Sequence, residues 1–187
     1  MNITDFNSFK FNNNLEILNK LKTSYLNSNL SHSIIIYGDK GIGKSIFLKY
    51  FICNIFNNFV ELNDNNNNKH IPLILNNSHP NLKIISLLFD EKSNKIKSNI
   101  TIDQIRNLEN FIYQSTFNEF PKIILIDSAD DLNVSSSNSL LKILEEPKKN
   151  TYFFLISHQP SKLLDTIRSR CIKFNFKKTS FSEFKEI

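Results

Sequence analysis

The residues most able to do chemistry lie in one short stretch, GDKGIGKS at 38–45. This stretch matches the phosphate-loop pattern G-x-x-x-x-G-K-[ST] without a mismatch. Gly38, Gly41 and Gly43 allow the backbone N–H groups to turn towards a phosphate. Lys44 is predicted to reach the β- and γ-phosphates of a nucleotide, and Ser45 to place its hydroxyl on Mg²⁺. Because a strand-like run precedes the stretch and a helical run follows it, we interpret it as a nucleotide-binding loop rather than a chance match in a turn.

An acidic residue of a second element could complete such a site. Asp127 ends the hydrophobic run IILID, the position from which phosphate-loop proteins hold Mg²⁺ through water. The next residue is Ser128, and a serine cannot act as a general base at neutral pH without a partner. We expect Asp130 and Asp131 to begin a turn or to cap the next helix. The sequence therefore predicts a loop that can hold a nucleotide beside a site poorly equipped to hydrolyse it.

A parallel sheet is needed to bring these residues together. Apolar runs predict five strands, at 33–38, 81–89, 121–127, 151–157 and 171–176. Helical spacing predicts helices at 13–26, 44–56, 100–115 and 135–146. An Asn cluster is suited to cap the first helix, and Thr101 with Gln104 forms the capping-box pattern of the third. Strands alternating with helices indicate an α/β domain whose central parallel sheet is flanked by helices on both faces. The polar run at 63–68 predicts a flexible loop.

The composition limits how far the net charge can indicate a nucleic-acid partner. The chain of 187 residues contains 28 Asn, 26 Ile and 20 Lys, but only 3 Gly and 3 Arg. This bias is typical of an AT-rich coding sequence, so the net charge of +5 is weak evidence for a nucleic-acid partner. The rare residues are more informative. All three glycines fall in the phosphate loop, and two of the three arginines fall in the run TIRSRC at 166–171.

Several classes of protein are excluded at this point. No apolar run approaches the roughly 20 residues that span a bilayer, and the N-terminus lacks the pattern of a signal peptide. Cys53 and Cys171 lie far apart with no metal-ligand spacing, which argues against a disulfide framework and a zinc site. The cysteine pattern fits a reducing cytoplasm best.

Longer segments resemble a known family. HSIIIYGDKGIGKS (32–45), SHPNLKII (78–85), ITIDQIRNLENFI (100–112) and the run from KIILID to SRCIKF (122–174) are similar to subunits of the bacterial DNA polymerase III clamp loader. Within that complex they most resemble the delta-prime subunit. The run NSLLKILEEP followed some twenty residues later by TIRSRC is highly specific, and the resemblance covers about residues 10–180. It implies an AAA+ nucleotide-binding domain in a five-subunit ring that opens the sliding clamp and loads it onto primed DNA.

The resemblance also implies roles for single residues. Ser169, Arg170 and Cys171 align with the family's SRC motif, whose arginine enters the ATP site of the neighbouring subunit and stabilises the γ-phosphate in trans. Arginine suits this role because its charge is fixed and its planar fork matches phosphate oxygens. The alternative is a surface arginine at the start of a strand. Ser157 aligns with a polar residue that senses the nucleotide.

The chain departs from the motor subunit of the same complex, which carries Glu after the strand Asp and a four-cysteine zinc module after the first helix. Here Ser128 takes the place of that Glu and only Cys53 lies in that region, so we expect no zinc and little hydrolysis by this chain itself. The resemblance implies ATP and Mg²⁺ as ligands. Since many delta-prime subunits lack a working phosphate loop, the sequence leaves open whether ATP binds and whether it is then structural. A motor subunit and a stand-alone phosphate-loop ATPase or kinase are the alternatives.

The resemblance gives an expected domain organisation and set of partners. Residues 1–178 are predicted to form the AAA+ domain and 179–187 to begin a helical lid, with the collar domain absent. The implied partners are the motor and delta subunits, the sliding clamp indirectly, and primed DNA, in the cytoplasm and without a membrane.

Overall fold

The computed structural model describes residues 11–59, 69–91, 94–116 and 119–178. In these ranges the α-helices are Leu15–Leu26 (α1), Lys44–Phe56 (α2), His70–Leu75 (α3), Ile102–Tyr113 (α4), Val134–Glu145 (α5) and Asp165–Arg170 (α6). The strands of the same ranges are Ser33–Tyr37 (β1), Leu82–Ile85 (β2), Phe89–Asp90 (β3), Lys95–Ile96 (β4), Lys122–Asp127 (β5), Thr151–Ser157 (β6) and Ile172–Asn175 (β7). Short 3-10 turns at Asn12–Asn14, Ala129–Asp131 and Pro160–Lys162 complete these elements.

Five of the strands form one parallel sheet in the order β2-β5-β6-β1-β7. β6 lies between the strand that enters the phosphate loop and the strand that ends in Asp127. Tyr37 at the end of β1 pairs with Ser157 at the end of β6, and Asp127 pairs with Ile156. The carboxyl ends of β1, β5 and β6 therefore lie side by side at one edge of the sheet.

Helices cover both faces of this sheet, as the sequence predicts. Successive strand residues point to opposite faces. Ile34 and Ile36 of β1 accordingly pack with α1, α2 and α3, whereas Ile35 packs with α4, α5 and α6. The first face is rich in aromatic side chains, including Phe47 and Phe51 of α2, which are fully buried. Burial on both faces explains why β1, β5 and β6 read as continuous apolar runs.

Side-chain caps fix the starts of two helices. The predicted capping box of α4 is present: the Gln104 N–H donates to Thr101 Oγ1, and the Thr101 N–H donates to the Gln104 side chain. Asn133 caps α5 by accepting a hydrogen bond from the Ser136 N–H at 2.9 Å. The Asn cluster before α1 has a different role from the predicted cap. The buried Asn14 makes no cap hydrogen bond and instead bonds both the N–H and the C=O of Lys177.

The strand predicted at 81–89 is shorter than expected. β2 ends at Ile85, which pairs with Ile126 of β5, and β5 ends one residue later. The next carbonyl, that of Ser86, accepts a hydrogen bond from the Gln104 side chain at 2.9 Å instead. Phe89 then joins a separate two-stranded antiparallel hairpin of β3 and β4.

Two predicted segments, the polar run at 63–68 and the lid start at 179–187, lie outside the described residues. Within the described part of the chain, no helix combines the length and apolar character needed to cross a membrane.

Candidate functional site

The phosphate-loop sequence connects β1 to α2, as expected. The Gly38 N–H donates to the Ser157 carbonyl at 3.2 Å, which ties the loop to the end of β6. Gly43 takes a left-handed conformation (φ 97°) and directly precedes α2. The loop therefore ends at the N-terminus of a 13-residue helix, whose free N–H groups and dipole favour an anion.

Lys44 is held inside the loop. The residue is only 2% exposed, and its Nζ donates to the carbonyls of Gly38 at 2.6 Å and Asp39 at 2.5 Å. Burial lowers the pKa of the Lys44 ammonium, while Asp127, Asp130 and Asp39 oppose that shift. The ammonium is thus bonded to neutral carbonyls that phosphate oxygens can replace.

Gly38 cannot carry a side chain without movement of the backbone. Its φ is 151°, and a Cβ placed on it would lie 2.5 Å from the backbone oxygen of Phe176. Phe176 is itself fixed, because its N–H donates to the Tyr37 carbonyl at 2.7 Å. The loop and the segment after β7 are therefore in direct backbone contact.

We expect Gly38→Ala to lower the free energy of unfolding by about 3 kcal/mol, since two backbone segments must separate. Gly41→Ala is the matched control. It also has a positive φ, 82°, but a Cβ placed on it would meet no atom within 4 Å beyond the adjacent residues of the chain. It should therefore lose only about 1 kcal/mol from strain. Urea unfolding measures both values, and equal losses in the two variants would contradict the contact with Phe176.

Asp127 and Ser45, the two predicted Mg²⁺-linked residues, lie at the same edge of the sheet. Asp127 is the last residue of β5 and is half-buried, and Ser45 lies in the first turn of α2, also half-buried. Asp127 is close enough to Lys44 to act on its pKa. In the described ranges, no cluster of three or more His, Cys, Asp or Glu side chains could hold a metal ion by itself.

Ser128 occupies the position after the strand acid. It is 5% exposed, and its hydroxyl donates to the Asp131 carboxylate at 3.1 Å. Both partners lie in or beside the 3-10 turn Ala129–Asp131, so the prediction of a turn at these acids is confirmed. The Ser128 hydroxyl thus acts as a hydrogen-bond donor within this turn.

Asp130 has a role that sequence reasoning missed. Its carboxylate accepts hydrogen bonds from the Ser157 hydroxyl at 2.7 Å and from the backbone N–H groups of His158 and Gln159. Ser157 is fully buried, so this carboxylate fixes the orientation of the predicted sensor hydroxyl. The sequence signal is weak: an acid three residues beyond β5 can reach the end of β6 only because the two strands are adjacent.

Arg170 lies apart from the phosphate loop. It ends α6, and its carbonyl accepts a hydrogen bond of 2.7 Å from the hydroxyl of Ser33, the first residue of β1. Gly38 follows the last residue of β1. Five strand residues separate the two edges by about 16 Å. Arg170 therefore belongs to the amino edge of the sheet and the phosphate loop to its carboxyl edge.

The Arg170 guanidinium makes two contacts within its own chain. Its Nη2 donates to Glu145 Oε1 at 2.8 Å and its Nη1 donates to the Thr166 carbonyl at 3.0 Å. Arg168, on the same helix, instead pairs with Asp165. The two motifs NSLLKILEEP and TIRSRC are thus in contact through Glu145 and Arg170, a pairing that the sequence did not predict.

The sheet order, the phosphate loop and the acid at the end of β5 define an AAA+ P-loop domain. Solved structures of that class share the fold. A gamma-subunit-related protein of DNA polymerase III from Thermotoga maritima superposes with a TM-score of 0.58 at 19% identity, over 90% of this chain and 48% of the other. The RuvB Holliday junction branch migration motor of the same organism gives a TM-score of 0.54 at 16% identity, over 97% of this chain and 52% of RuvB.

The chain belongs to the DNA polymerase III delta subunit family, whose model matches residues 13–180, and is a delta-prime-like clamp-loader protein. It is 33% identical over 144 residues to the delta-prime subunit of Pseudomonas aeruginosa, covering 76% of this chain and 42% of that protein. It is 32% identical over 170 residues to the delta-prime subunit of Bacillus subtilis, covering 88% of this chain and 48% of that protein. The chain thus spans less than half the length of these two relatives.

Proposed function

We propose that this chain acts as a delta-prime subunit of the bacterial DNA polymerase III clamp loader, in the ATP-dependent loading of the sliding clamp onto primed DNA during replication. In this role it is a stator that donates Arg170 to the ATP site of the neighbouring subunit. One observation carries the proposal: Arg170 lies at the amino edge of the sheet, bonded to Ser33, while the chain's own phosphate loop lies at the opposite edge. An arginine so placed can act on a nucleotide only in another subunit.

The family gives the partners in this proposal. The motor and delta subunits contact the chain directly, the sliding clamp is reached through the assembled ring, and primed DNA is the common substrate. The site of action is the cytoplasm. The curated relatives include a tau subunit of Bacillus subtilis, 27% identical over 87% of this chain, which supports a partner of related sequence within one assembly.

The chain's own loop is proposed to hold ATP without hydrolysing it. Ser45 and Asp127 offer hydroxyl and carboxylate oxygens, the donor types that Mg²⁺ prefers, so the residues present fit the metal that accompanies the nucleotide. Bound Mg²⁺ would neutralise phosphate charge. The hydroxyl of Ser128, bonded to Asp131, supplies no base for an attacking water. The nucleotide-binding residues in this proposal are Gly38, Gly41, Gly43, Lys44, Ser45, Asp127 and Ser157.

Replacing Lys44 by alanine tests this binding. We expect ATP to bind the variant about 10- to 100-fold more weakly, because a charge-assisted contact to the phosphates is lost. Titration of a fluorescent ATP analogue into the natural protein measures the Kd. Lys40→Ala is the control, since Lys40 is an exposed lysine of the same loop and should change the Kd by less than about threefold.

The same preparation tests the competing functions. The isolated wild-type chain should bind the analogue and show no ATP turnover above the background of the Lys44→Ala variant. Turnover that depends on Lys44 would instead identify a stand-alone ATPase or a motor subunit. Failure of the wild type to bind the analogue would contradict the nucleotide site. The stator role would then be tested separately, by the effect of Arg170→Ala on turnover at the neighbouring subunit.

A further inference from the structure

The last turn of α5 and the last turn of α6 meet at the amino edge of the sheet. Each helix follows a strand that ends at the carboxyl edge and runs back to the edge where the next strand begins. This return places Glu145 beside Arg170, 25 residues later in the chain. The contact is at the surface, where the Glu145 side chain is 51% exposed and the Arg170 side chain 36% exposed.

The Arg170 guanidinium is held by two hydrogen bonds and keeps further N–H donors for a ligand. Of its five N–H donors, one on Nη2 bonds Glu145 and one on Nη1 bonds the Thr166 carbonyl. The other N–H groups have no hydrogen-bond partner among the described residues, so they are available to a phosphate. A long exposed arginine loses considerable rotamer freedom when it engages a ligand, and a side chain already fixed at two points loses less.

We propose that Glu145 is the positioning residue of Arg170: it holds the guanidinium in the orientation in which its remaining N–H groups meet the γ-phosphate of the neighbouring subunit. This inference rests on the proposed function, since it requires Arg170 to act in trans. Glu145 itself does not touch the nucleotide. Its effect is to fix the arginine, because a transition-state contact is weakened when the contacting group is misplaced by about 1 Å.

The alternative is a surface ion pair that merely stabilises the chain, and the two roles predict different results. Exposed ion pairs contribute little to stability. Removal of Glu145 should therefore lower the Tm of the chain by no more than about 4 °C, whatever its effect on turnover. A purely structural pair would leave turnover at a fixed amount of folded protein unaltered.

The experiment measures kcat and KM for ATP in a clamp loader reconstituted from the natural protein and its partner subunits. Glu145→Ala is expected to lower kcat about tenfold with KM changed by less than about twofold, as for an interaction made in the transition state. The kcat of Glu145→Gln should lie between those of the wild type and Glu145→Ala, because the amide oxygen of Gln still accepts a hydrogen bond from the Arg170 N–H. Glu146→Ala is the matched control: Glu146 is the adjacent exposed acid and forms no ion pair among the described residues.

Arg170→Ala, measured alongside, separates the positioning role of Glu145 from the proposed trans role of Arg170. Adding Glu145→Ala to Arg170→Ala should have no further effect if the glutamate acts through the arginine. A full effect of Arg170→Ala with normal kcat in Glu145→Ala overturns the positioning role and leaves the proposed function intact. Normal kcat in Arg170→Ala overturns both. Independent, additive losses in the double variant also overturn the positioning role, as does a loss of kcat that is fully accounted for by unfolded protein at the assay temperature.

Discussion

Arg170→Ala is expected to lower ATP turnover at the neighbouring subunit's site about 10³-fold, the lower end of the range for an arginine supplied in trans. The reason is electrostatic. The guanidinium carries a fixed charge and several aligned N–H donors, which stabilise the charge on the γ-phosphate as its bond breaks. Turnover should be followed in a two-subunit complex of the natural protein with its motor neighbour, where the neighbour's site is the only one that an arginine from this chain completes.

The same helix offers a matched control for this variant. Arg168 lies two residues earlier in α6, is exposed to a similar degree and pairs with Asp165 instead of Glu145. Arg168→Ala removes the same side-chain type from the same helix and should leave turnover within about threefold of the wild type. Equal losses in the two variants would mean that α6 acts through its folding or net charge, and not through one arginine.

The second large effect concerns stability in acid and arises from two buried histidines. His70 Nδ1 and His79 Nε2 lie 3.0 Å apart, and the Asn81 N–H donates to His79 Nδ1 at 3.1 Å. His79 therefore carries its hydrogen on Nε2 and donates it to His70. Its ring also stacks on Phe56 with the ring centres 3.9 Å apart. A proton added at His79 Nδ1 would face the Asn81 N–H and break this hydrogen bond. The arrangement of His70 and His79 therefore favours their neutral forms.

Burial, followed by the neighbouring His70 and Lys122, lowers the pKa of His79 from 6.5 to about 4. Because the unfolded chain takes up this proton at a higher pH than the folded chain, the folded state loses stability as the pH falls. The contribution is fully present above about pH 6.5 and is lost as the pH falls towards 4. Its full size is about 3 kcal/mol, of which about 2 kcal/mol is lost by pH 5.

Urea unfolding at pH 7 and pH 5 measures this loss. Other groups also respond to acid, so the comparison is between the wild type and His79→Gln, which cannot take up the proton. The variant should be less stable at pH 7 but should lose about 2 kcal/mol less than the wild type between the two pH values. His32→Gln, at a half-buried histidine before β1, is the control and should follow the wild type. Parallel losses in all three proteins would show that the histidine pair is not the acid-sensitive element.

Much of the fold can be predicted from the sequence because both faces of the sheet are buried. Continuous apolar runs such as that of β6 indicate central parallel strands, and the capping box at Thr101 marks the start of α4. The end of β2 could not be predicted, since apolar residues continue to Phe89. That strand stops one residue before the end of its partner β5, which is a property of the pairing and not of the local sequence.

The phosphate loop could also be predicted, because its backbone conformation requires particular residue types at fixed spacing. Contacts between distant segments could not. The sequence predicts Asp130 to be a turn residue, and its carboxylate also accepts the hydrogen bond of the Ser157 hydroxyl at the end of the neighbouring strand. The pairing of Glu145 with Arg170 depends on two helices returning to the same edge. Both contacts need the strand order, which local patterns do not determine.

We propose that this chain holds a nucleotide at the carboxyl edge of its sheet and offers Arg170, at the amino edge, to its neighbour's nucleotide. The most direct test measures two quantities for Lys44→Ala and Arg170→Ala: the chain's own Kd for an ATP analogue and turnover in the two-subunit complex. We predict that each variant changes one of the two quantities and leaves the other unchanged. Lys44→Ala weakens the chain's own binding and preserves turnover, whereas Arg170→Ala abolishes turnover and leaves that binding unchanged. Weaker binding in Arg170→Ala, or turnover lost in Lys44→Ala but kept in Arg170→Ala, would contradict it.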